Sequence, residues 1–561
     1  MKSILTVYLA VLALIGCKPT PVMVDHLVHN AMVYDGSGRD PYMGSVGWSG
    51  DSITYIGPDA GVTSPDNMDA QGMIISPGFV NMLSWAPETL IHDGRSISDL
   101  SQGVTLEVFG EGTSMGPINE TMRKEMMSYM GDHPYEIGWT TLGEYLTFLE
   151  SKGVSCNFAS FIGAATPRIH ELGYQNRLAT PEEMIRMKGL VTQAMQEGAM
   201  GVASALIYAP GTYADTQELI ELSKAASAHG GMYISHIRSE GNQIWSALYE
   251  VFTIAREAAI PAEIYHLKIS GKENWRYQDR LEQKIDSAQK SGLKITADMY
   301  NYTAGATGLD AAMPTWCQEG GYPAWAARLK DPKQRKRILN EMETQTNAGW
   351  ENFYKLCGPE NMLTVEYFNK DLRKYVGKTI SEISKERGTS AAETILDLVI
   401  EDGSRVGVIY FMMSEENVKR NIALPYVSFC SDAGSIANEG MFLENNVHPR
   451  TYGSFARLLG KYVRDEKVMP MQEAIRKLTA LPCENLKIKD RGLLKVGYKA
   501  DLVIFDPATI EDHATFEKPH QYSTGVHHVW VNGVQVIKEG QHTNAKPGRA
   551  VRGPGWNGFQ K

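Results

Sequence analysis

Two histidines lie thirty residues apart, and each stands near the end of a strand-like run of residues. His236 lies near the end of the run that begins at Met232, and His266 lies near the end of the run Ala262–Lys268. A third such run, much later in the chain, leads to Asp432. Two imidazoles and a carboxylate that come from separate strands of one repeating βα scaffold are the groups that a hydrolytic metal site requires. We therefore interpret His236 and His266 as metal ligands.

A glutamate offers the third ligand of such a site. Glu111 follows the strand-like run Thr105–Gly110 and opens a glycine-rich loop, residues 110–117, which would expose its carboxylate. Glu107 is an alternative because it shares the strand face of Glu111. We favour Glu111 because it stands at the strand end, where the side chains of a βα barrel converge. One glutamate and two histidines leave a fourth position on a zinc ion open for water.

Asp432 is the candidate catalytic acid and base. A carboxylate at this strand end can accept a proton from metal-bound water and later donate it to a leaving amine. The alternative is that Asp432 is the N-cap of a following helix, which is a common position for aspartate. The sequence Ala433-Gly434 that follows is compatible with both roles.

Two basic side chains are candidates for binding a substrate carboxylate. Lys268 lies two residues after His266, so that strand alternation places both side chains on one face. Lys268 either binds the substrate or forms a salt bridge at the rim. Arg450 lies in a loop after Asp432, and its guanidinium suits bidentate binding of a carboxylate. Its neighbour His448 precedes a proline, and we expect it to be structural.

The elements that must position these residues alternate short apolar runs with helical patterns. This alternation predicts a parallel (β/α)8 barrel over residues 73–480. Its eight candidate strands are Ile74–Met82, Thr105–Gly110, Asn157–Gly163, Gly201–Ala205, Met232–His236, Ala262–Lys268, Lys294–Tyr300 and Tyr426–Ser431. Residues of about 310–422 are too many for a simple loop, and we expect them to form an inserted helical lid over the barrel mouth. A separate domain is the weaker alternative because barrel-like sequence resumes afterwards.

The two chain ends share another pattern. Residues 19–72 and 481–561 contain strand-like runs separated by Asp-Gly and Gly-Pro turns, as in a small antiparallel sheet. We expect the two ends to form one small β-sandwich domain, with the barrel inserted between them.

The first seventeen residues resemble a targeting segment. A positive start at Lys2 precedes an apolar stretch that ends in Leu14-Ile-Gly-Cys17, which has the form of a lipobox. We expect cleavage before Cys17 and lipidation of its thiol, which would give an extracytoplasmic bacterial lipoprotein attached to a membrane only by this anchor. The alternative is a plain signal peptide with a chance cysteine.

The composition excludes few classes of function. The chain has 561 residues and a formal net charge of −10, without a basic block, so that we expect no nucleic-acid partner. Five cysteines remain beyond Cys17, and they are scattered without CxxC spacing. In a chain of this size we expect buried free thiols, although one pair, such as Cys317 with Cys357, would be able to form a bridge. The sequence does not predict the oligomeric state.

Taken together, these segments resemble the N-acyl-D-amino-acid deacylases (D-aminoacylases) of the amidohydrolase superfamily. The resemblance runs from about residue 25 to residue 555. The segments that carry it are Ser76–Phe79, Gln102–Thr105, Leu206–Thr216, His229–Gly231, Ser235–Gly241, His266–Lys268, Thr296–Tyr302, Ser431–Asp432 and His448–Gly453. It implies zinc ligation by His236 and His266 and a catalytic role for Asp432. It also implies that the inserted segment is a lid and that the substrate carboxylate is bound by Lys268, Tyr208, Tyr300 and Arg450.

The chain departs from the family pattern at the metal site. Leu83 and Trp85 stand where the family has a first-strand His-x-His, and neither binds zinc. The family's bridging cysteine is absent, and the loop offers Glu111 instead. The segment Gly163–Thr166 lacks a family histidine. Sugar-phosphate deacetylases of the same superfamily use one glutamate and two histidines for a single zinc, so that the resemblance implies a site for one zinc ion per chain.

These observations predict a zinc-dependent amidohydrolase that cleaves the linear amide of an N-acyl-D-amino acid. Two other functions remain open. One is an amidohydrolase that acts on a cyclic amide, a dipeptide or a peptidoglycan-derived fragment. The other is a catalytically degenerate surface binding protein, which the missing His-x-His would explain.

Overall fold

The computed structural model describes residues 22–345 and 349–558. The predicted signal segment and Cys17 lie outside the described residues. Among the described residues, no helix combines the length and the apolar character needed to cross a membrane. The five described cysteines are all buried and unbridged, so that the alternative of a bond between Cys317 and Cys357 is wrong.

Eight parallel strands form the central barrel, as the sequence predicts. In chain order they are β1 (Phe79–Asn81), β2 (Val104–Phe109), β3 (Asn157–Ser160, continued by Ile162–Gly163), β4 (Gly201–Ala205), β5 (Met232–His236), β6 (Ala262–Ile264), β7 (Ile295–Met299) and β8 (Val427–Phe429). Neighbouring strands pair in parallel from β1 to β3 and from the continuation of β3 to β8. The barrel closes where the Met82 amide donates to the Phe429 carbonyl (3.2 Å).

Helices surround the barrel and pack their apolar faces on its outer surface. They are Leu142–Lys152, Pro181–Gln196, Thr216–Ser227, Ile244–Glu257, Gln278–Lys290, Glu415–Ala423, Arg450–Arg457 and Met471–Leu478. The sequence sets where several of them begin. Thr141 and Thr180 each accept from a backbone amide three residues later, and the glutamate at that position bonds back in a capping box.

A second sheet combines strands from both ends of the chain. Its order is Gln541–His542, Val534–Lys538, Val526–Val531, Leu502–Phe505, Ile74–Pro77, His26–Val33, Tyr42–Ser49 and Ser52–Gly57, and Asp66–Asp69 also pairs with His26–Val33. The predicted strand Ile74–Met82 is therefore two strands. The chain leaves this sheet at Gly78, where a side chain would collide with Thr105, and enters the barrel at Phe79.

The C-terminal segment does not stay with this sheet. The Phe158 amide donates to the Arg549 carbonyl and the Val551 amide donates to the Phe158 carbonyl, so that the end of the chain runs along the barrel at β3. The expected boundary, which placed all of residues 481–561 in the β domain, needs this correction.

The insertion between β7 and β8 is only partly helical. Its helices are Tyr322–Lys330, Pro332–Thr344, Phe353–Cys357, Ile380–Arg387 and Ala391–Asp402. An antiparallel sheet of Ala304–Gly308, Gly407–Phe411 and Met362–Glu366 lies among them, and the expectation of a helical lid missed it. Apolar runs of five residues have no clear period, so that the sequence does not separate a short strand from a helical turn here. Side chains of the insertion and of the barrel interior share one core.

Candidate metal centre

The three predicted metal ligands come together at the carboxyl ends of their strands. His236 is the last residue of β5, His266 lies two residues beyond β6, and Glu111 lies two residues beyond β2. Gly110 (φ +109°) and Gly112 (φ +68°) flank Glu111 and allow the tight loop that turns its carboxylate inward. All three side chains are buried.

The donor atoms of the three side chains lie within 4.8 Å of one another, and two of the three distances are close to those around a single metal ion. Glu111 Oε1 lies 3.2 Å from His236 Nδ1 and 3.1 Å from His266 Nε2. Tetrahedral zinc with bonds of about 2.0 Å has ligand atoms roughly 3.3 Å apart, which is close to both distances. Among the described residues this is the one group of three or more acidic, His or Cys side chains with such spacing. The predicted ligand set is therefore geometrically able to hold zinc.

The alternative ligand Glu107 lies elsewhere. It is buried near Asp99 and Ser96, whereas its strand neighbours Leu106 and Val108 face the barrel interior. The expectation that Glu107 shares the face of Glu111 is therefore wrong, because the strand ends at Phe109 and the positive φ of Gly110 breaks the alternation before Glu111. Burial and the nearby Asp99 carboxylate raise the pKa of Glu107 well above its ordinary value. Burial also raises the pKa of Asp99, to about 6. Both shifts favour the neutral form of these carboxyls, and neither residue belongs to the group formed by Glu111, His236 and His266.

The electrostatics of the centre favour a cation. Burial opposes ionisation of Glu111, but hydrogen bonds and attraction from His236 and His266 outweigh it and lower the pKa of the carboxyl to about 2. Burial and Lys268 disfavour the charged form of His266, but Glu240 and Glu111 outweigh them and raise its pKa to about 10. The proton on His266 thus occupies a site where two carboxylates attract positive charge, and a divalent ion would displace it.

Glu240 is a site residue that the sequence reasoning missed. Its Oε1 lies 2.9 Å from His266 Nδ1 and 2.6 Å from Lys268 Nζ. Metal-binding histidines commonly have a carboxylate on the second ring nitrogen, which fixes the tautomer and the ring orientation. Of the two alternatives for Lys268, the structure has the salt bridge, but it is buried beside His266 and not at the rim. The only sequence signal for Glu240 was its place in the segment Ser235–Gly241.

Asp432 lies beside this centre with both oxygens engaged. Trp85 Nε1 donates to Asp432 Oδ1 (3.0 Å), and Arg450 Nη1 lies 2.7 Å from Asp432 Oδ2 as an ion pair. The N-cap alternative for Asp432 is wrong, because the next helical turn begins only at Gly440. Trp85 entered the sequence reasoning only as a residue that cannot bind zinc, and its bond to Asp432 was not expected.

Arg450 is held where an anion would meet it. The guanidinium is 4% exposed and stacks on the Tyr300 ring, with 4.5 Å to the ring centroid. Its Nε has no acceptor among the described residues. His448 has the expected structural role: Nδ1 accepts from the Arg450 amide (3.0 Å), and Nε2 donates to the Ala304 carbonyl (2.9 Å). Burial lowers the pKa of His448 well below its ordinary value, as this neutral form requires.

The two predicted substrate-side tyrosines flank the centre. The Tyr208 ring lies 5.4 Å from the His236 ring, and the Tyr300 ring lies 6.2 Å from the His266 ring, between centroids. Arg405, which the sequence did not single out, lies over Tyr208 at 4.9 Å and pairs with Asp310. The structure therefore brings all eight predicted site residues near one another, with Cys17 outside the described residues.

Comparison with known proteins agrees with this architecture. The amidohydrolase family model matches residues 167–537. The D-aminoacylase of Alcaligenes xylosoxydans xylosoxydans is 31% identical over 531 residues, which cover 94% of this chain and 97% of that protein. The N-acyl-D-aspartate deacylase of the same organism is 28% identical, over 95% of this chain and 96% of the relative.

Two solved structures are also similar. A D-aminoacylase crystal structure superimposes with a TM-score of 0.78 at 29% identity, covering 94% of this chain and 100% of that chain. The N-acyl-D-glutamate deacylase from Bordetella bronchiseptica, solved with zinc and a phosphonate inhibitor, gives a TM-score of 0.79 at 26% identity, with the same coverage. The chain belongs to the amidohydrolase family, and the fold class predicted from the sequence is confirmed.

Proposed function

We propose that this protein is a zinc-dependent deacylase, with one zinc ion per chain, that hydrolyses N-acyl-D-amino acids to a carboxylate and a free D-amino acid. The convergence of Glu111, His236 and His266 on one point at the barrel mouth carries the proposal. Its D-amino-acid substrate class is supported by the names of the relatives at 28–31% identity. The single zinc is supported by the absence of donor groups at Leu83 and Trp85.

The donor set defines what each side chain contributes. Glu111, His236 and His266 would hold the ion, which when bound supplies a Lewis acid that polarises the acyl carbonyl and acidifies water. Asp432 is the general base that takes a proton from the attacking water, and it returns that proton to the leaving nitrogen as the C–N bond breaks. Glu240 and Lys268 hold the His266 ring in its orientation.

Arg450 is the anchor for the carboxylate of the substrate. Its buried Nε lacks an acceptor, and a buried donor without a partner costs free energy that a ligand carboxylate would recover. The planar guanidinium stacks on the Tyr300 ring, which fixes its orientation. An N-acyl amino acid held there would have its amide carbonyl oriented at the ligand cluster, which lowers the entropic part of the barrier.

The test is metal content combined with hydrolysis by the chain from Lys18 onward, which lacks both Cys17 and the apolar segment before it. The panel pairs N-acetyl-D-amino acids with their L-enantiomers, and adds dipeptides and hydantoins. About one zinc per chain with release of D-amino acids alone is the expected result. If the protein binds one zinc ion but hydrolyses only dipeptides or cyclic amides, those compounds would replace N-acyl-D-amino acids as the substrate class. Protein that takes up no metal and hydrolyses nothing would favour a surface binding protein.

We further propose that the protein is a lipoprotein of an extracytoplasmic membrane surface, anchored through Cys17. The motif Leu14-Ile-Gly-Cys17 after an apolar stretch supports this proposal. Cells that express the wild type should incorporate labelled palmitate into the chain, and cells with Cys17→Ala should not. Cys156→Ala, at a buried thiol, is the matched control and should keep the label. Equal labelling of all three chains would refute the anchor.

A further inference from the structure

Trp85 occupies a defined place at the barrel mouth. It follows β1, and its amide donates to the Ala433 carbonyl (2.9 Å), while the Asp432 amide donates to the Leu83 carbonyl (2.9 Å). These two backbone bonds continue the pairing of β1 with β8 beyond both strands and fix the two segments side by side. The indole is 43% exposed, and the carboxylate of Asp432 beside it is buried.

The indole N–H makes the only hydrogen bond from a side chain to Asp432 among the described residues. Trp85 Nε1 lies 3.0 Å from Oδ1, and Arg450 Nη1 faces Oδ2 at 2.7 Å in an ion pair without hydrogen-bond geometry. The two oxygens therefore have different partners. Arg450 stabilises the negative charge of the Asp432 carboxylate. Trp85 constrains the orientation of that carboxylate, because the tryptophan N–H is a single donor in the plane of a rigid ring.

We propose that Trp85 is a positioning residue that sets the rotation of the Asp432 carboxylate for proton transfer. The proposal rests on the proposed function, in which Asp432 is the general base. The terminal torsion of an aspartate is broad, so that a carboxylate with one strong cationic neighbour is free to turn both oxygens toward it. Arginine and carboxylate prefer that two-oxygen arrangement. The Trp85 N–H holds Oδ1 away from Arg450 and leaves its second lone pair for a proton.

Two consequences separate positioning from structural support. Loss of the N–H should slow the chemical step, because a base must be aligned with the proton that it takes. It should change binding much less, because Arg450 Nε, which has no acceptor among the described residues, stays available to the substrate carboxylate. A purely structural role would instead lower stability or change kcat and KM together.

The experiment compares Trp85→Phe, which keeps an aromatic ring and removes the N–H, with Trp556→Phe as the control. Trp556 is similarly exposed, at 47%, and lies in the C-terminal tail remote from the centre. We expect kcat of Trp85→Phe to fall about 10- to 100-fold, the range for one hydrogen bond to a charged group, with KM unchanged within about threefold. The control should match the wild type. An unchanged kcat, or an equal change in KM, would overturn the proposal.

A second measurement does not depend on the substrate. In protein labelled with 15N-tryptophan, the indole N–H resonance of Trp85 is the signal that Trp85→Phe removes. We expect Asp432→Ala to shift that signal upfield and to accelerate its exchange with water, while the other indole signals stay in place. An unchanged signal would refute the hydrogen bond itself. If the signal shifts but no N-acyl-D-amino acid is hydrolysed, the proposed function is wrong, whereas the hydrogen bond between Trp85 and Asp432 is confirmed.

Discussion

Replacement of Glu111 by glutamine tests the metal centre directly. Glutamine keeps the size and shape of the side chain but removes the negative charge, which the low pKa of about 2 shows to be present at neutral pH. The two histidines would remain as neutral donors. Loss of a partner outside the ligand shell typically costs 10- to 100-fold in metal affinity. Loss of a direct and charged ligand should cost more, so that we expect zinc affinity to fall by more than 100-fold, or about 3 kcal/mol.

The assay is competition for zinc with a chelator of known affinity, followed by metal analysis after dialysis. Glu107→Gln is the matched control, because it makes the same chemical change four residues earlier on a side chain that does not approach the histidines. We expect the control to retain one equivalent of zinc and Glu111→Gln to retain almost none. Wild-type zinc affinity in Glu111→Gln would refute the ligand assignment, whatever its activity.

Three further predictions follow from other parts of the structure. Arg450→Met should raise KM about 10- to 100-fold, and the penalty for replacing the substrate carboxylate by a carboxamide should largely disappear in that variant; an undiminished penalty would place the anchor elsewhere. Removal of zinc should lower Tm, and zinc restored at about 1,000 times Kd should return about 4 kcal/mol, as scanning calorimetry would measure. Glu107→Gln should become more stable relative to the wild type as the pH rises from 4 to 8. Burial raises the pKa of both Glu107 and Asp99, and repulsion from Asp99 raises that of Glu107 further, so that the stabilisation that protonation gives the folded protein is present at low pH and is lost as the pH rises through the folded-state values. Parallel Tm curves would contradict this reasoning.

The sequence predicts the barrel and its ligands because both follow from local rules. Alternation of short apolar runs with helical patterns identifies all eight strands, and the carboxyl ends of those strands must meet at one mouth. His236 at the end of β5 is a direct case. His266 is less direct, because β6 ends at Ile264 and a positive φ of 36° at His266 turns the ring into the site. The predicted strand Ala262–Lys268 is therefore too long, because the structure forms a strand only over Ala262–Ile264.

The contacts that orient His266 and Asp432 could not be predicted from local sequence patterns. Glu240 meets His266 and Lys268 across two loops, and Trp85 meets Asp432 across 347 positions of the chain. No periodicity encodes such pairs, because they depend on how loops from different strands pack at the mouth. A single sequence identifies a tryptophan that cannot bind zinc, but it does not show that the indole N–H would find a carboxylate. The short sheet within the insertion escaped for a related reason, since it depends on pairing between distant segments.

The charges at the barrel mouth balance with one divalent ion and one substrate carboxylate, although the site lacks the His-x-His pair. The site contains three carboxylates, which belong to Glu111, Glu240 and Asp432. It contains two side-chain cations, which belong to Lys268 and Arg450. Buried charges must be paired, and in the protein alone a proton on His266 supplies the missing positive charge. One divalent ion in place of that proton would leave a single positive charge in excess, which one substrate carboxylate neutralises. A second divalent ion would leave three positive charges before the substrate binds. Under the proposed function, this balance of charge fits one metal ion and a substrate with one negative charge bound at Arg450.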